Sequence, residues 1–185
     1  MKRVLQFGVA ALALSQIAAQ AAVGTMLVQN NNGSAVVPIF DVDGTTKIFG
    51  ANYSVGVYVV NPDGSVISQL GGFTTPATSN GRFTLGQLDV GVAGGTVNLA
   101  IHAWDTRTGA TYAAATTKAA SAVFVSPTLG GDVDNDPNTP AAVASSMALN
   151  FKSFSLVNTS NIPEPSTMAL AALGLGGLIF ISRRK

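Results

Sequence analysis

The sequence predicts an all-β fold, an antiparallel β-sandwich of Ig-like or jelly-roll-like type with one or two short helical excursions. A signal helix would precede it and a transmembrane helix would follow it. Three observations carry this expectation. Short apolar runs rich in Val, Ile, Phe, Tyr and Thr are separated by turn signals every ~8 to 12 residues. The segment TVNLAIHAW alternates with period two, as a half-buried strand does. No stretch of about 12 residues shows a 3.6 period with charged outer positions.

The elements follow in order. GTMLVQ (24–29) is a strand ended by NNNG, and AVVPIF (35–40) leads into DVDG. In the first hairpin, VVPIFDV would return through TTKIF across a two-residue Asp43-Gly44 turn. YSVGVYVV and SVISQL form a second hairpin across NPDG, where Pro62 presets the turn and Gly64 can take positive φ. GRFTLGQLDV and TVNLAIHAW follow, the latter with Val97, Leu99, Ile101 and Ala103 on one face and Asn98, Ala100, His102 and Trp104 on the other. SAVFVS and FKSFSLV close the domain. Helical excursions are expected at Thr111–Ala119, which is Ala-rich, and after Thr139-Pro140, where an N-cap residue precedes a proline.

The two ends read as addresses. Lys2 and Arg3 open an apolar run from Val4 to Leu14, and Ala19 and Ala21 place small residues where signal peptidase cuts. Residues 1–21 are therefore expected to be a secretory signal peptide, with residues 22–158 as the β-sandwich domain and 159–185 as a sorting segment. Within the last, residues 166–182 carry no charge, and 17 residues of helix span about 26 Å, near the lower limit for a membrane. Arg183, Arg184 and Lys185 form a basic end that halts translocation and stays cytoplasmic.

Pro163-Glu164-Pro165, the apolar span and the basic end together resemble the PEP-CTERM sorting signal of Gram-negative bacteria. The resemblance implies export across the inner membrane and transient anchoring there. An exosortase, a membrane transpeptidase, would then recognise Pro163, Glu164 and Pro165, leaving the protein at the cell surface or outside the cell. It also implies a link with exopolysaccharide and biofilm export. PIFDVDGTTKIFGANYSVGVYV, GGTVNLAIHAWDTRTGATYAAA and FKSFSLV resemble a recurrent type of protein with this tail, which pairs a DVDGTT segment with an AWD…GATY segment. That second resemblance implies a shared fold and destination and no reaction.

Composition narrows the functions. Net charge is +1, but residues 22–162 hold eight Asp against five Lys or Arg, near −3. A basic nucleic-acid surface is unsupported. The absence of Cys excludes disulfides, thiolate nucleophiles and Cys-ligated zinc, and a lone His cannot build a multi-His zinc site.

Four constellations remain. IFDVDGTTK resembles the opening motif of haloacid dehalogenase phosphatases, in which Asp41 would be the nucleophile and Asp43 the acid/base, with magnesium between Asp41 and the loop backbone. Lys118, Asp132 and Asp136 would complete such a set. That chemistry needs a central parallel strand flanked by helices. Pro38 interrupts the strand and no crossover helix is visible, so the expected role is a turn with Asp41 facing solvent. Asp132, Asp134 and Asp136 alternate as irregular calcium ligands would, but Pro137 and Val143 stand where an EF-hand needs Gly and Glu. His102 and Asp105 fall on opposite faces of an extended strand, against a catalytic pair. Trp104 is the candidate for stacking on a sugar ring, with Tyr53, Tyr58 and Tyr112 as further aromatics.

The sequence thus points to a non-enzymatic, exported surface or extracellular-matrix protein with no catalytic residues and no required cofactor. Its expected partners are signal peptidase, the exosortase, the inner membrane and exopolysaccharide. A glycan- or calcium-binding module is the alternative, and a phosphatase the second.

Overall fold

Asn61-Pro62-Asp63-Gly64 turns the chain back on itself. Gly64 takes φ 86°, its N–H donates to Asn61 O, and Asn61 N–H donates to Ser65 O. The Asp63 carboxylate accepts from the Ser65 N–H and hydroxyl, which locks the turn from inside. On either side run β2 (Tyr53–Val60) and β3 (Val66–Thr74), paired antiparallel. The computed structural model describes residues 23–33, 35–132 and 140–161.

β1 spans Thr25–Gln29, β4 Thr84–Asp89 and β5 Asn98–Asp105. β6 (Thr117–Ala120), β7 (Phe124–Val125) and β8 (Val157–Asn158) are short. One sheet runs β3-β2-β5-β6-β8, with β7 also on β5, and β1 pairs β4 in a second sheet. Every pairing between these strands is antiparallel. Val55, Val57 and Val59 of β2 and Leu99, Ile101 and Ala103 of β5 share one core with Met26 and Val28 of β1. Among the described residues, the members of that core run from Met26 to Leu156.

Several expectations change. AVVPIF forms only single bridges, Asn31 with Val36 and Phe40 with Lys47 and Ser155. Pro38 has no N–H to give a ladder, and Val37 N–H turns instead to Asn30 O. Neither helical excursion forms as forecast. Thr111–Ala114 is a turn and Thr117–Ala120 is β6, because Thr117 and Ala119 face the sheet rather than a helix stripe. In the stretch expected to be helical after Pro140 there is one 3₁₀ turn, Met147–Leu149, capped by the Ser146 hydroxyl, which accepts from Ala148 N–H. Thr159–Asn161 is a second such turn. Among the described residues no helix is long and apolar enough to cross a membrane. The helices expected at 1–21 and 166–182 lie outside the described residues.

One polar side chain sits deep in this apolar setting. Asn30, fully buried at the end of β1, donates its amide hydrogens to Val37 O and Gly81 O and accepts from Phe83 N–H. Its backbone N–H donates to Phe83 O, and its O accepts from Val37 N–H. Three chain segments are therefore held by one residue. Asn30→Ala strands two carbonyls and one N–H, and is expected to lower the unfolding free energy by about 3 kcal/mol in denaturant melts. Asn30→Asp turns two attractive contacts into oxygen–oxygen repulsion, so it should destabilise more than Asn30→Ala.

Candidate functional site

Strand alternation sets one candidate surface, the face of the large sheet turned away from the core. β2 presents Ser54, Gly56 and Tyr58 there, and β5 presents Ala100, His102 and Trp104 opposite them. Between Val55 and Val57 the register jumps from Thr74 to Leu70, so Gly71, Gly72 and Phe73 bulge out beside Gly56. The bulge lays the Phe73 ring over Gly56. A Cβ at position 56 would come within 3.1 Å of that ring, which is why glycine occupies the middle of a strand.

The rings then form a row. Phe73 meets Trp104 edge-on at 5.1 Å, and Trp104 meets Tyr112 edge-on at 6.2 Å. Tyr112 stacks on His102 at 4.2 Å, and His102 lies 4.5 Å from Tyr58. Lys118 closes the row, with its Nζ 5.3 Å from the Tyr112 centroid and donating to Ala113 O. Trp104 therefore does point away from the core, as alternation requires, but Phe73 and Tyr112 roof it over and leave it 1 % exposed. The expected Trp104 sugar platform is corrected on that ground, since a covered ring offers no face for stacking. The ring that meets water is Phe73, 56 % exposed. Sequence reasoning passed over Phe73, although Gly71-Gly72 inside an apolar strand was a visible bulge signal.

His102 is half-buried among these rings, and burial pushes its pKa down, so it stays neutral near pH 7. Among the described residues no carboxylate hydrogen-bonds to it. Asp105 instead holds Arg107 at 2.6 Å, a contact that keeps the Asp105 carboxyl below the usual range and raises the guanidinium further.

The DVDG hairpin is the second candidate. It closes at Asp41, whose N–H donates to Thr46 O, so the loop is Val42–Thr45 rather than a two-residue turn. Gly44 takes φ 70°, as the turn reading requires. The Asp43 carboxylate accepts from the Thr45 and Thr46 N–H groups and the Thr46 hydroxyl. Asp41 is half-buried and does not simply face solvent, because Tyr53 Oη donates to its Oδ2 at 2.6 Å. Arg107 Nη2 in turn donates to Tyr53 Oη at 3.5 Å. Burial, then the bond to Asp41, pushes the Tyr53 phenol up to about 12. These carboxylates serve the turn and its docking on β2.

Asp132 is exposed next to Gly131, which bridges Ala142. Asp134 and Asp136 lie outside the described residues, as do Ala19, Ala21, Pro163, Glu164, Pro165, Arg183, Arg184 and Lys185. Among the described residues no three His, Cys, Asp or Glu side chains stand close enough to hold a metal ion.

The chain remains fastened to the sheet almost to its sorting segment. β8 pairs β6, and Thr159 donates both its N–H and its hydroxyl to Thr116 O. Residues 161–185 match the family model of the PEP-CTERM protein-sorting motif. This chain carries a PEP-CTERM sorting motif. The motif implies recognition by an exosortase-type processing enzyme, with export and membrane-associated processing in a Gram-negative bacterium. Neither a curated protein nor a solved structure matches the chain. The PEP-CTERM motif thus begins where the second 3₁₀ turn ends.

The carboxylate of Asp43 offers a direct check on the hairpin. Its hydrogen bonds, first the Thr46 hydroxyl and then the two N–H groups, lower its pKa from 3.8 to about 2. A depressed carboxylate stabilises the fold above its unfolded pKa and loses that contribution as pH falls through the folded one. A carboxyl NMR titration should give Asp43 a midpoint near 2. In Asp43→Ala, melting temperature should depend less on pH between about 4 and 2 than in the parent.

Proposed function

We propose that this chain is an exported, non-enzymatic surface or extracellular-matrix protein, delivered by its C-terminal motif and associated with exopolysaccharide. The observation that carries this reading is the match of residues 161–185 to the sorting motif, which starts at the last 3₁₀ turn of the described domain. A signal peptide at residues 1–21 would start translocation. The apolar span at 166–182 would hold the chain in the inner membrane, and Arg183, Arg184 and Lys185 would keep its end inside. Exosortase action at Pro163-Glu164-Pro165 would then free the domain for attachment or release.

The non-enzymatic part rests on geometry. A phosphatase nucleophile sits at the end of a parallel strand sandwiched between helices, whereas the strands here pair antiparallel and the described helices are single 3₁₀ turns. Asp43 is engaged by its own turn and Asp41 by Tyr53. We read the two sheets around one core as a sandwich, a rigid body suited to display.

One observation favours a second reading, a glycan-binding module. Phe73 is an exposed ring, seated on Gly56 and braced by Trp104, as a sugar platform must be.

Replacing Glu164 by Gln in the producing cell should yield a full-length form that stays in the membrane fraction. Release at the parent level would overturn the sorting role of Glu164. For the second reading, Phe73→Ala should abolish retention of the protein on the producer's own exopolysaccharide while the protein stays folded by circular dichroism, with a lowered melting temperature because Trp104 loses its cover. Trp104→Ala should instead cost about 3–5 kcal/mol of stability, because it empties a buried site. Retention unchanged by Phe73→Ala would end the glycan reading.

A further inference from the structure

Among the described residues, one buried side-chain nitrogen or oxygen has no hydrogen-bond partner, and it is Nε1 of Trp104. Native proteins rarely leave a buried donor unpaired, because its desolvation is then uncompensated. The rings around it, Phe73 and Tyr112, offer only weak acceptor faces. The cover over this donor is also loosely fastened. Gly71, Gly72 and Phe73 fall between the Val57–Leu70 and Val55–Thr74 pairs, where the register shifts. A Cβ at Gly72 would meet nothing within 4 Å, so the backbone there has room to turn. Phe73 can therefore swing outward while the β2–β5 ladder stays closed. Beside the donor stands a cation. Lys118 pairs in register with Trp104, which puts both on the outer face. Its Nζ lies 5.3 Å from the Tyr112 centroid and donates one N–H to Ala113 O, leaving two more and the charge. No acidic residue occurs in β2, β3 or β6, and the one in β5, Asp105, alternates to the other face and holds Arg107.

We propose that this face binds an acidic glycan: Phe73 swings aside, and a sugar carboxylate accepts from Trp104 Nε1–H and pairs with the Lys118 ammonium. The inference rests on the glycan reading above and narrows its ligand to sugars that carry a carboxylate. Two features select that class. Trp104 Nε1 and Lys118 Nζ are both donors, and one is charged, so a matching ligand brings acceptors, one of them anionic. The exposed Phe73 ring beside them suits the apolar face of a sugar ring, which an acidic peptide lacks. Trp104 acts here through its edge, as a donor, and Phe73 keeps the stacking role. Residues 22–162 carry a charge near −3, which gives no general attraction for a polyanion. A preference for acidic sugars must therefore come from Lys118 locally.

The chain has one Trp, so its indole N–H gives a single NMR resonance. The full-length protein should be retained on the producer's exopolysaccharide, and reducing the carboxyl groups of that glycan to alcohols should weaken binding about tenfold. Lys118→Gln should weaken binding to the native glycan by a similar factor and leave binding to the reduced glycan unchanged. Fragments of the native glycan should move the indole N–H resonance downfield. Replacing Trp104 by its benzothienyl isostere, in which sulfur stands in place of N–H, should also weaken binding about tenfold. That isostere should melt no lower than the parent, because the donor it lacks had no partner. Binding that survives carboxyl reduction, equal binding to poly-glutamate, an indole resonance unmoved by the glycan, or an isostere that melts lower would each overturn the inference and leave the glycan reading standing. Retention unchanged by Phe73→Ala ends the glycan reading itself, and absence of retention on the native glycan ends both.

Discussion

The fold depends on one amide. Asn30 lies where β1 ends, and the chain beyond it must pass under the core without a regular ladder to absorb its polar backbone. Burying an unpaired carbonyl or N–H costs about 1–3 kcal/mol. Asn30 removes three such costs at once by serving Val37, Gly81 and Phe83. The groups it joins lie seven, 51 and 53 residues further along the chain, so closure of the small sheet and placement of Pro38 are one event. The apolar core supplies most of the stability, but it is indifferent to register. The amide is not.

The outer face follows a different rule. Aromatic rings there are held by one another and by a missing side chain. Gly56 gives up its own packing so that Phe73 can cross the strand, and Phe73 then shields Trp104. The strand remains stable because the ring replaces the contacts glycine lacks. Both faces of β5 are thereby covered along much of its length, which explains why Ala100 and Trp104 are as buried as Leu99 and Ile101.

Much of this was legible in the sequence. Period two placed Leu99, Ile101 and Ala103 on the core face, and NPDG fixed the β2–β3 hairpin, because both are local patterns. Val36 to Phe40 misled, since a proline in an apolar run leaves the run apolar while removing its ladder bonds. Trp104 misled for the opposite reason. Its side of the strand was right, but its cover comes from Phe73, through a bulge, and from Tyr112, through a turn that the Ala-rich composition had marked as helix. Asp41 was taken for a solvent group because its partner, Tyr53, lies 12 residues on. Neither long-range cover nor a distant phenol can be read from spacing. The sorting tail was legible because its motif, span and charges are consecutive.

Mechanically, the attachment of the tail is graded. Among the described residues, a pull from the C-terminal side loads the Thr159 bonds to Thr116 and then the two residue pairs of β8, in succession. Bonds at an edge can open one after another like a zipper, with little resistance. Leu156, 1 % exposed in the core, is the first residue that cannot follow. Opening from Thr159 back to Val157 pays out three residues of extended chain, about 10 Å. The domain thus carries its own short length of slack, spent before any of its core is disturbed, and a membrane-bound enzyme gains that much clearance from the folded wall above it.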